Sequence, residues 1–587
     1  MKRVNIFSKL IMGAGALLML ASCSKDFLDK EPFDKLVPNS FFTAEKDLEL
    51  YANSFYERMV PAGLSVVIAD EMGDYTSKAN SPAFIAGSFT SVDQGSWSWA
   101  DLRNINYFLA KFNNPVISQE ARDHYEGIAR FFRAYFYFDK VKTYGDVPWY
   151  NRPLDVNDAD ELYKPRDPRT LVMDSVLADL DFAATHIRNV KNTSATTVTR
   201  QVAQAFKSRV CLFEGTFRKY HTELGLQATA DRWLQAAADA AQAVMQSAQY
   251  RLHSTSNPAA DYRFLFTQET PSNDEIMWAV VYNNALRKWN DITWKFNSAT
   301  YGARWGLNKQ FVNTYLMKDG SRFTDAEGYD TVQFVREMKD RDPRLAQTIR
   351  SLGYKRSDGT AAPPNFGYTF TGYHILKFSL DDKRLDGTAE GSNSISLVRY
   401  AEVLLNYAEA RAELGQFTQA DWDLTIGALR QRAGVVAQAP ATADSYLQQI
   451  YFPEINDKEL LEIRRERGVE LVYEGFRYAD LLRWKKGRLL EMQWKGIYVP
   501  AKDTPMDLDG NGTMDVCFVN TIPATRLPGV IYYVIDGSAS RLTEGTKGWV
   551  TWRDDERRSF DDKKYYRPIS NSDIVLNPNL QQNPGWQ

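Results

Sequence analysis

The sequence predicts a mainly α-helical protein in which helical hairpins support a loop-rich face with a few short strands. The first observation is that apolar residues recur at helical spacing in several long segments of the first half. The second is that residues 283–395 are rich in Gly, Asn, Trp and Tyr and carry turn signals such as Lys318-Asp319-Gly320. Long loops on a rigid helical scaffold are where binding sites usually lie, so the fold class already points to a binding surface.

The helices of the first half are predicted from apolar periodicity and from the residues that begin or end helices. The predicted segments are 47–59, 124–144, 167–187, 200–214 and 231–247. Gly145 and Pro148 follow the second segment and Pro168 starts the third, which are common places for these residues. The last segment is rich in Ala, which lets helices approach closely. Paired helices of this kind resemble tetratricopeptide hairpins, although the sequence shows no strict repeat period.

The second half is predicted to hold loops first and helices later. Residues 283–395 should form long loops and short strands, and helices return at 396–414, 421–432 and 458–486. The tail from 487 to 587 is again rich in loops. No low-complexity linker separates the halves, so residues 41–587 are predicted to form one globular unit. Within it, a helical N-terminal part covers about 41–270 and a C-terminal part about 271–587.

Composition excludes several classes of function. Apolar residues make up 44% of the chain and charged residues 25%, as in an ordinary globular protein. The net charge of −3 gives the molecule no electrostatic reason to bind nucleic acid. Three cysteines and five histidines occur, without an HExxH or CxxC pattern, so neither a zinc site nor a redox site is predicted. No organic cofactor is predicted either.

The N-terminus has the pattern of a bacterial lipoprotein signal. A basic start precedes the apolar run 10–20, which is too short for a transmembrane helix but fits the core of a signal peptide. Small residues then lead directly to Cys23, which predicts a signal peptide over 1–22 and lipidation of Cys23. The alternative is a plain secretory signal with a chance cysteine. Residues 23–40 are predicted to form an extended leash, and acidic residues after the cysteine favour the outer face of the outer membrane.

Four blocks of the sequence resemble conserved runs of the SusD/RagB family. They cover 127–149 (GIARFFRAYFYFDKVKTYGDVPW), 398–415 (VRYAEVLLNYAEARAELG), 463–484 (IRRERGVELVYEGFRYADLLRW) and 566–586. The chain departs from the family pattern at Ile128, where an acidic residue is common. Because the blocks occur in the family's order and span most of the chain, the sequence is identified as a member of this family.

The resemblance implies a binding function without catalysis. Proteins of this family are surface lipoproteins that cover a SusC-like TonB-dependent transporter in the outer membrane and hold an oligosaccharide against it. Their fold consists of tetratricopeptide-like hairpins that support a loop-rich ligand face. We therefore expect glycan capture for a partner transporter, with the protein anchored in the outer membrane and facing the exterior. The alternatives are peptide capture, as in the RagB branch, a structural adaptor role and, least favoured, an exported glycoside hydrolase.

The charged residues in these blocks are predicted to stabilise the fold. Glu466 and Glu470 could in principle act as paired carboxylates in acid/base catalysis. However, each has an Arg within one helical turn, which indicates an ion-pair and hydrogen-bond network that fixes helix packing. The same interpretation applies to Arg399, Glu402 and Glu409. No catalytic residue is predicted.

Candidate ligand-binding residues are aromatic rings and planar polar side chains, because a glycan offers apolar C–H faces and a rim of hydroxyl groups. The family resemblance points to a first group that consists of Asp74, Tyr75, Trp97, Trp99 and Asn104. The loop-rich middle supplies a second group that consists of Trp289, Trp294, Tyr301 and Trp305. For any one of these residues, burial in the core is the alternative.

A short acidic segment has the spacing of a calcium loop. The pattern D-x-D-x-N-G-x-x-D places the candidate oxygen ligands at Asp507, Asp509, Asn511, Thr513 and Asp515. Gly512 permits a tight turn at the sixth position. The twelfth position holds Phe518 instead of a bidentate Glu, so a complete EF-hand is not predicted. The prediction is a structural calcium ion, and the alternative is a polar turn that binds no metal.

Overall fold

A computed structural model describes residues 42–95, 97–535 and 537–586. The predicted signal peptide, the lipidation site Cys23 and the leash 23–40 lie outside the described residues. The predicted mainly α-helical fold is confirmed. The helices of seven or more residues in the described ranges are α1 (Glu45–Met59), α2 (Ala100–Lys111), α3 (Gln119–Tyr144), α4 (Arg169–His186), α5 (Arg200–Tyr220), α6 (Ala230–Gln246), α7 (Asp261–Thr267), α8 (Tyr400–Glu413), α9 (Lys458–Glu470) and α10 (Arg477–Arg483).

Shorter helices fill the connections between these elements. They are Gly63–Ile68, Ala83–Ala86, Ala159–Leu162, Ile292–Phe296, Lys309–Val312, Phe334–Glu337, Pro343–Thr348, Gln419–Trp422, Ala428–Ala433, Ser445–Ile450 and Asn571–Leu576. None of the helices in the described part of the chain has both the length and the apolar character needed to cross a membrane.

The long helices pack side by side in a continuous layer. Helix α3 contacts α1 and α2 on one side and α4 on the other. The layer continues through α5 and α6 to α8 and then α9. Sequence neighbours therefore form hairpins, which agrees with the tetratricopeptide-like arrangement that the sequence predicts.

Several helix boundaries follow from residues that the sequence analysis identified. Gly145 ends α3 with a φ of +77°, a conformation that glycine adopts without steric cost, and its N–H donates to the carbonyl of Val141. Pro168 immediately precedes the first turn of α4. Thr199 precedes α5, and its hydroxyl accepts the N–H of Val202 as a helix cap.

Two predicted helices are wrong in part. The segment 458–486 forms α9 and α10 separated by a turn, because Tyr473 and Gly475 have φ values of +62° and +82°, which a helix does not contain. The segment 396–414 begins as a strand and becomes the helix α8 only at Tyr400. In both cases packing against the rest of the protein overrides the local helical pattern.

Ten short strands form four small sheets in the described residues. They are β1 (Thr76–Ser77), β2 (Ile276–Val280), β3 (Gly306–Leu307), β4 (Ile395–Arg399), β5 (Trp494–Val499), β6 (Pro505–Met506), β7 (Val516–Val519), β8 (Ile531–Val534), β9 (Ser540–Leu542) and β10 (Gly548–Trp552). The sheet orders are β1-β3, β2-β4, β5-β10-β9 and β6-β7-β8, and the β7–β8 pair is parallel whereas the other pairs are antiparallel. Six of these strands, β5 to β10, lie in the tail 487–587, which therefore contains more regular secondary structure than the sequence predicts.

The hydrophobic core joins the two ends of the chain. Its largest cluster surrounds the aromatic side chains of α3, including Phe131 and Phe132. Ile569 and Leu580 from the C-terminal segment belong to the same cluster. A second cluster lies under the loops and strands of the second half, with Tyr473 and Ile497 at 0% exposure. Burial of this kind fixes the C-terminal segment beside the N-terminal helices, and a groove lies at that junction.

Candidate functional site

A groove with a volume of about 540 Å³ lies where three segments of the chain meet. The first segment is the start of α2 with Trp97 and Trp99 before it, the second covers 148–163, and the third covers 573–580. Its volume is in the range of ordinary ligand sites. We call it the aromatic groove, because Trp97, Trp99, Tyr150 and Tyr163 line it.

The two tryptophans of the aromatic groove are half-buried and held by contacts between rings. Their ring centroids lie 5.4 Å apart at an interplanar angle of 63°. The ring of Trp97 also contacts Tyr144 at 4.7 Å, and the ring of Trp99 contacts Tyr150 at 5.4 Å and 84°. These edge-to-face contacts stabilise the orientation of both indoles while leaving part of each exposed. The structure thus brings the two predicted binding residues together on one surface.

The polar groups of the aromatic groove are engaged with the protein itself. The carboxylate of Asp573 accepts the backbone N–H of Trp97 at 2.9 Å. The amide Nδ2 of Asn106 donates to the carbonyl of Tyr150 at 2.9 Å, and the guanidinium of Arg103 donates to the carbonyl of Leu154. Leucine side chains from the second and third segments complete the lining. The groove therefore offers chiefly apolar and aromatic surface, which suits the C–H face of a sugar ring.

A second aromatic surface lies in the loops of the middle region. Trp294 and Tyr301 stack with centroids 4.0 Å apart at 21°, and Tyr301 is 39% exposed. The hydroxyl of Tyr301 donates to Asp291, and this hydrogen bond raises the pKa of the phenol. Nearby, the indole N–H of half-buried Trp289 donates to Asn284 at 3.0 Å. Because Trp294 and Tyr301 cover each other, they present less free ring surface than the pair in the groove.

Three of the predicted ligand residues have their side chains in the interior, and this corrects the expectation for them. Tyr75 is 1% exposed and donates its hydroxyl to Asp70 at 2.7 Å. Asp74 is 5% exposed and accepts two hydrogen bonds from Arg477, at 2.7 and 2.9 Å. Trp305 is 3% exposed. A stacking platform needs a ring face that is open to solvent, so the two rings serve packing here.

Asn104 is half-buried and engaged on both sides of its amide group. Its Oδ1 accepts the hydroxyl of Tyr51 at 2.8 Å, and its Nδ2 donates to the hydroxyl of Ser54 at 3.0 Å. Both partners lie on α1, so this residue ties α2 to α1. The neighbouring Asn106 lines the groove, whereas the amide of Asn104 is used for contacts between helices.

The acidic segment forms a tight loop between β6 and β7. Carboxylate oxygens of Asp507, Asp509 and Asp515 lie within 4.8 Å of one another. Backbone N–H groups of Gly510 and Gly512 each donate to Asp507 at 2.7 Å, and both glycines have positive φ. Burial together with the charges of Asp509 and Asp507 raises the pKa of Asp515 to about 6. The described residues supply no Lys or Arg ion pair to these three carboxylates.

The donor set of this loop fits a calcium ion, which prefers oxygen ligands from carboxylates, amides and carbonyls. Asn511 adds an amide oxygen, which accepts the N–H of Thr513 at 2.6 Å. Phe518 is fully buried in β7 and offers no oxygen, as the sequence predicts. Three neighbouring carboxylates repel one another, and a divalent cation between them would lower this repulsion because it neutralises their charge. Three of the five predicted metal ligands, Asp507, Asp509 and Asp515, therefore lie together in space.

The predicted ion-pair network at the helix junction is confirmed, and its side chains lie in the interior of the protein. Glu470 is fully buried and hydrogen-bonds to three guanidinium groups, those of Arg344 at 2.8 Å, Arg399 at 2.7 Å and Arg432. Burial opposes ionisation of Glu470, but Arg432, Arg399 and Arg344 together hold its pKa well below the usual range. We call Glu466, Glu470, Glu474 and their arginine partners the charged junction.

Some residues of the aromatic groove were missed by sequence reasoning. Tyr150 directly follows the block 127–149, so its position next to a strongly patterned segment was a possible signal. Tyr163 and Asp573 lie far apart in sequence, and no local pattern links either of them to Trp97. Only the shared core brings these positions together.

Comparisons with known proteins agree with this architecture. A family model described as the SusD family matches residues 273–586, more than half of the chain. A second model, described as "Starch-binding associating with outer membrane", matches residues 26–212. A SusD-like protein of Bacteroides ovatus is 22% identical over 99% of this chain and 98% of its own length. A SusD-like protein of Formosa agariphila is 25% identical over 62% of this chain and 66% of its own length.

Solved structures show the same fold. A SusD-like protein of Bacteroides fragilis superposes with a TM-score of 0.68 at 22% identity, covering 95% of this chain and all of that protein. A second protein of the same species, described as a SusD-like carbohydrate binding protein, has a TM-score of 0.67 at 21% identity, covering 92% of this chain and all of its own. The matches to the family models, together with this fold, establish that the chain belongs to the SusD/RagB family.

Proposed function

We propose that this protein is a non-catalytic glycan-binding lipoprotein of the outer membrane that captures an oligosaccharide and delivers it to a SusC-like TonB-dependent transporter. Membership of the SusD/RagB family supports the proposal. So do the description of one family model as starch-binding and associating with the outer membrane, and that of one structural relative as carbohydrate binding. The proposed anchor is the lipidated Cys23, with the globular body facing the cell exterior.

The observation that carries the glycan assignment is the aromatic groove. Trp97 and Trp99 present indole surface beside Tyr150 in a space large enough for a short oligosaccharide. Stacking on each ring should contribute on the order of 1 kcal/mol to binding. The polar groups of the groove already bond to the protein and leave few hydrogen-bond partners for a sugar. Sugar hydroxyl groups at the open side of the groove can instead keep their hydrogen bonds to water, so binding does not require these polar groups.

The proposed absence of catalysis rests on how the carboxylates are held. A glycosidase needs two carboxyl groups that flank the ligand, one of them available as an acid. Glu466 and Glu470 are 1% and 0% exposed and are paired with arginines in the charged junction. Such pairing stabilises the ionised form and the fold, and it leaves these groups out of reach of a ligand.

The experiment that tests this function is a binding screen on residues 24–587, which lack the lipid anchor. Affinity electrophoresis against a panel of soluble polysaccharides should show retardation on one polymer, and calorimetry should confirm the interaction. A Trp97→Ala/Trp99→Ala variant should lose the retardation. A Val116→Ala variant serves as the control, because it removes an exposed apolar side chain that does not line the groove.

The outcomes separate the alternatives. Retardation that persists in the Trp97→Ala/Trp99→Ala variant would place the ligand elsewhere, and the Trp294 surface would be tested next. If no glycan is retained, peptide capture or an adaptor role gains support. Copurification with the transporter would then be the deciding measurement, and release of reducing sugar by the purified protein would contradict the non-catalytic assignment.

A further inference from the structure

We propose that Lys140 is a positioning residue of the aromatic groove, whose ammonium group holds the indoles of Trp97 and Trp99 in the orientation that ligand binding requires. The inference rests on the proposed function, since it assigns a role within the same site. Lys140 lies on α3, four residues from both Phe136 and Tyr144, so it shares one face of the helix with them.

The ammonium nitrogen of Lys140 is surrounded by aromatic rings. It lies 5.6 Å from the ring centroid of Trp99 and 5.9 Å from that of Trp97. The rings of Phe136 and Tyr144 lie at 5.3 and 5.8 Å. A cation at such a distance from a ring face is attracted by the negative charge of the π-system. Four rings at once make this nitrogen the centre of an aromatic box.

The nearby carboxylates are engaged with other partners. Asp139 pairs with Lys142 at 3.2 Å, and Asp101 pairs with Arg58 at 2.8 Å. Asp573 accepts the N–H of Trp97. Within the described part of the chain, no carboxylate lies within ion-pair distance of Lys140. The aromatic rings are therefore its direct partners.

The two indoles stand between Lys140 and the groove. Trp97 and Trp99 line the aromatic groove, whereas Lys140 does not line it and belongs to a neighbouring cavity of about 530 Å³. Without the cation, the indoles would keep their ring contacts but lose an attraction that restricts their side-chain rotation. A ligand would then have to order both rings when it binds, which weakens affinity. In this account Lys140 acts on the ligand through the tryptophans.

The first test compares Lys140→Met with Lys140→Arg in the protein that carries residues 24–587, using the polysaccharide identified in the screen. Methionine keeps an apolar stem without charge, and arginine keeps the charge and its interaction with rings. Lys140→Met should weaken binding about three- to tenfold, whereas Lys140→Arg should stay within about twofold of the wild type. Lys142→Met, two residues away on the same helix, is the control and should bind normally.

A pH profile gives a readout that a purely structural role would not change. Burial lowers the pKa of Lys140, and the charges of Asp139, Asp101 and Asp573 partly offset this. Burial raises the pKa of Tyr144, so this phenol keeps its proton in the same range. Affinity of the wild type should fall as the pH rises through the lowered pKa of Lys140, because the side chain then loses its charge. The Lys140→Arg variant should show a flatter profile.

The outcomes distinguish failure of the positioning role of Lys140 from failure of the proposed function. Normal binding by Lys140→Met, or an equally large loss in Lys140→Arg, would overturn the positioning role. If the Trp97→Ala/Trp99→Ala variant loses binding while Lys140→Met does not, the proposed function stands and only this inference fails. If the double variant binds normally, the groove is not the ligand site and both fail. Should Lys140→Met not fold, the pH profiles of wild type and Lys140→Arg remain decisive, and identical profiles would refute the role.

Discussion

The charged junction and the aromatic groove differ in how their side chains are committed. In the junction, Glu470 is fully buried and each of its oxygens is paired with an arginine. In the groove, Trp97 and Trp99 are half-buried and their contacts leave part of each ring open. One region pairs its buried carboxylates with arginines of the protein itself, whereas the other leaves aromatic surface exposed.

This difference indicates that the most conspicuous charged residues of the sequence stabilise the fold. The segment 463–484 is dense in Arg and Glu and could suggest acid/base chemistry, yet its charges fix α9 and α10 against the rest of the protein. The residues proposed to bind a ligand stand in a short Gly/Ser-rich segment just before α2. Substitutions in the charged junction should therefore change stability, and substitutions in the aromatic groove should change ligand affinity.

The largest expected effect is on stability, from a change in the charged junction. A Glu470→Gln variant leaves Arg344, Arg399 and Arg432 without their shared carboxylate, so the free energy of unfolding should fall by about 3–5 kcal/mol. Chemical denaturation measures it. The control is Glu544→Gln, whose carboxylate is about half exposed beside Lys547 and should change stability by less than about 0.5 kcal/mol. A loss below about 1 kcal/mol in Glu470→Gln would contradict the structural role of the junction.

The second-largest expected effect is a pH dependence of stability that arises from Asp70, a residue beside the charged junction. Its carboxylate accepts the N–H groups of Gly475 and Arg477 and is fully buried, and burial raises its pKa to about 6. The folded pKa lies above the ordinary value of 3.8, so the native state binds the proton first as the pH falls. Between pH 6 and 4, the contribution of Asp70 to stability should therefore improve by about 3 kcal/mol.

The test of this effect compares the wild type with Asp70→Asn, which cannot titrate. The difference in free energy of unfolding between the two proteins should shift in favour of the wild type as the pH falls from 7 to 4. Paired carboxylates of the charged junction, such as Glu470, lose their contribution to stability as the pH falls, because their pKa is lowered in the folded protein. This loss is the same in both proteins, so it cancels when their free energies of unfolding are subtracted. A difference that stays constant over this range would show that Asp70 has an ordinary pKa.

Calcium binding should change the free energy of unfolding by a smaller amount. We propose that the loop of Asp507, Asp509 and Asp515 binds a structural calcium ion, so calcium at about 100 times its Kd should raise the free energy of unfolding by about 2.7 kcal/mol. Asp507→Asn should abolish the effect, and magnesium at the same concentration is the control. Binding should weaken as the pH falls through about 6, because Asp515 then takes up a proton. Unchanged calcium content in Asp507→Asn would refute the site.

The smallest expected effect concerns the second aromatic surface. Trp294→Ala removes one ring of a pair whose faces already cover each other, so glycan affinity should fall by no more than about fivefold. Calorimetry with the polysaccharide from the screen measures it, and Leu286→Ala, which removes an exposed apolar side chain from the same region, is the control. A larger loss in Trp294→Ala than in the groove variant would reverse the order of the two surfaces.

Much of the fold could be predicted from the sequence because local signals agree with the packing. Gly145, Pro168 and the apolar pattern of α3 placed helix boundaries within a few residues. The break between α9 and α10 could not be predicted in this way. It depends on positive φ at Tyr473, a residue with no intrinsic preference for that conformation, which its buried surroundings impose.

The site was predictable only in part, for a related reason. Trp97 and Trp99 were chosen as candidates because aromatic residues in a Gly/Ser-rich segment stand out, and both line the aromatic groove. Tyr75 and Trp305 looked similar in sequence but are buried, since exposure of a ring depends on what packs against it. Lys140 could not be found locally, because the rings around it come from two separate segments. Local patterns reveal residue chemistry, whereas tertiary packing decides whether that chemistry is available.

The most direct test of the central claim is the dissociation constant of the Trp97→Ala/Trp99→Ala variant for the polysaccharide that the wild type binds. Removal of two stacking rings should weaken binding by about thirtyfold, at about 1 kcal/mol each, in a variant that is still folded at the temperature of the assay. That result would establish the aromatic groove as the capture site. An unchanged dissociation constant in a folded variant would contradict the account and move the site away from the groove.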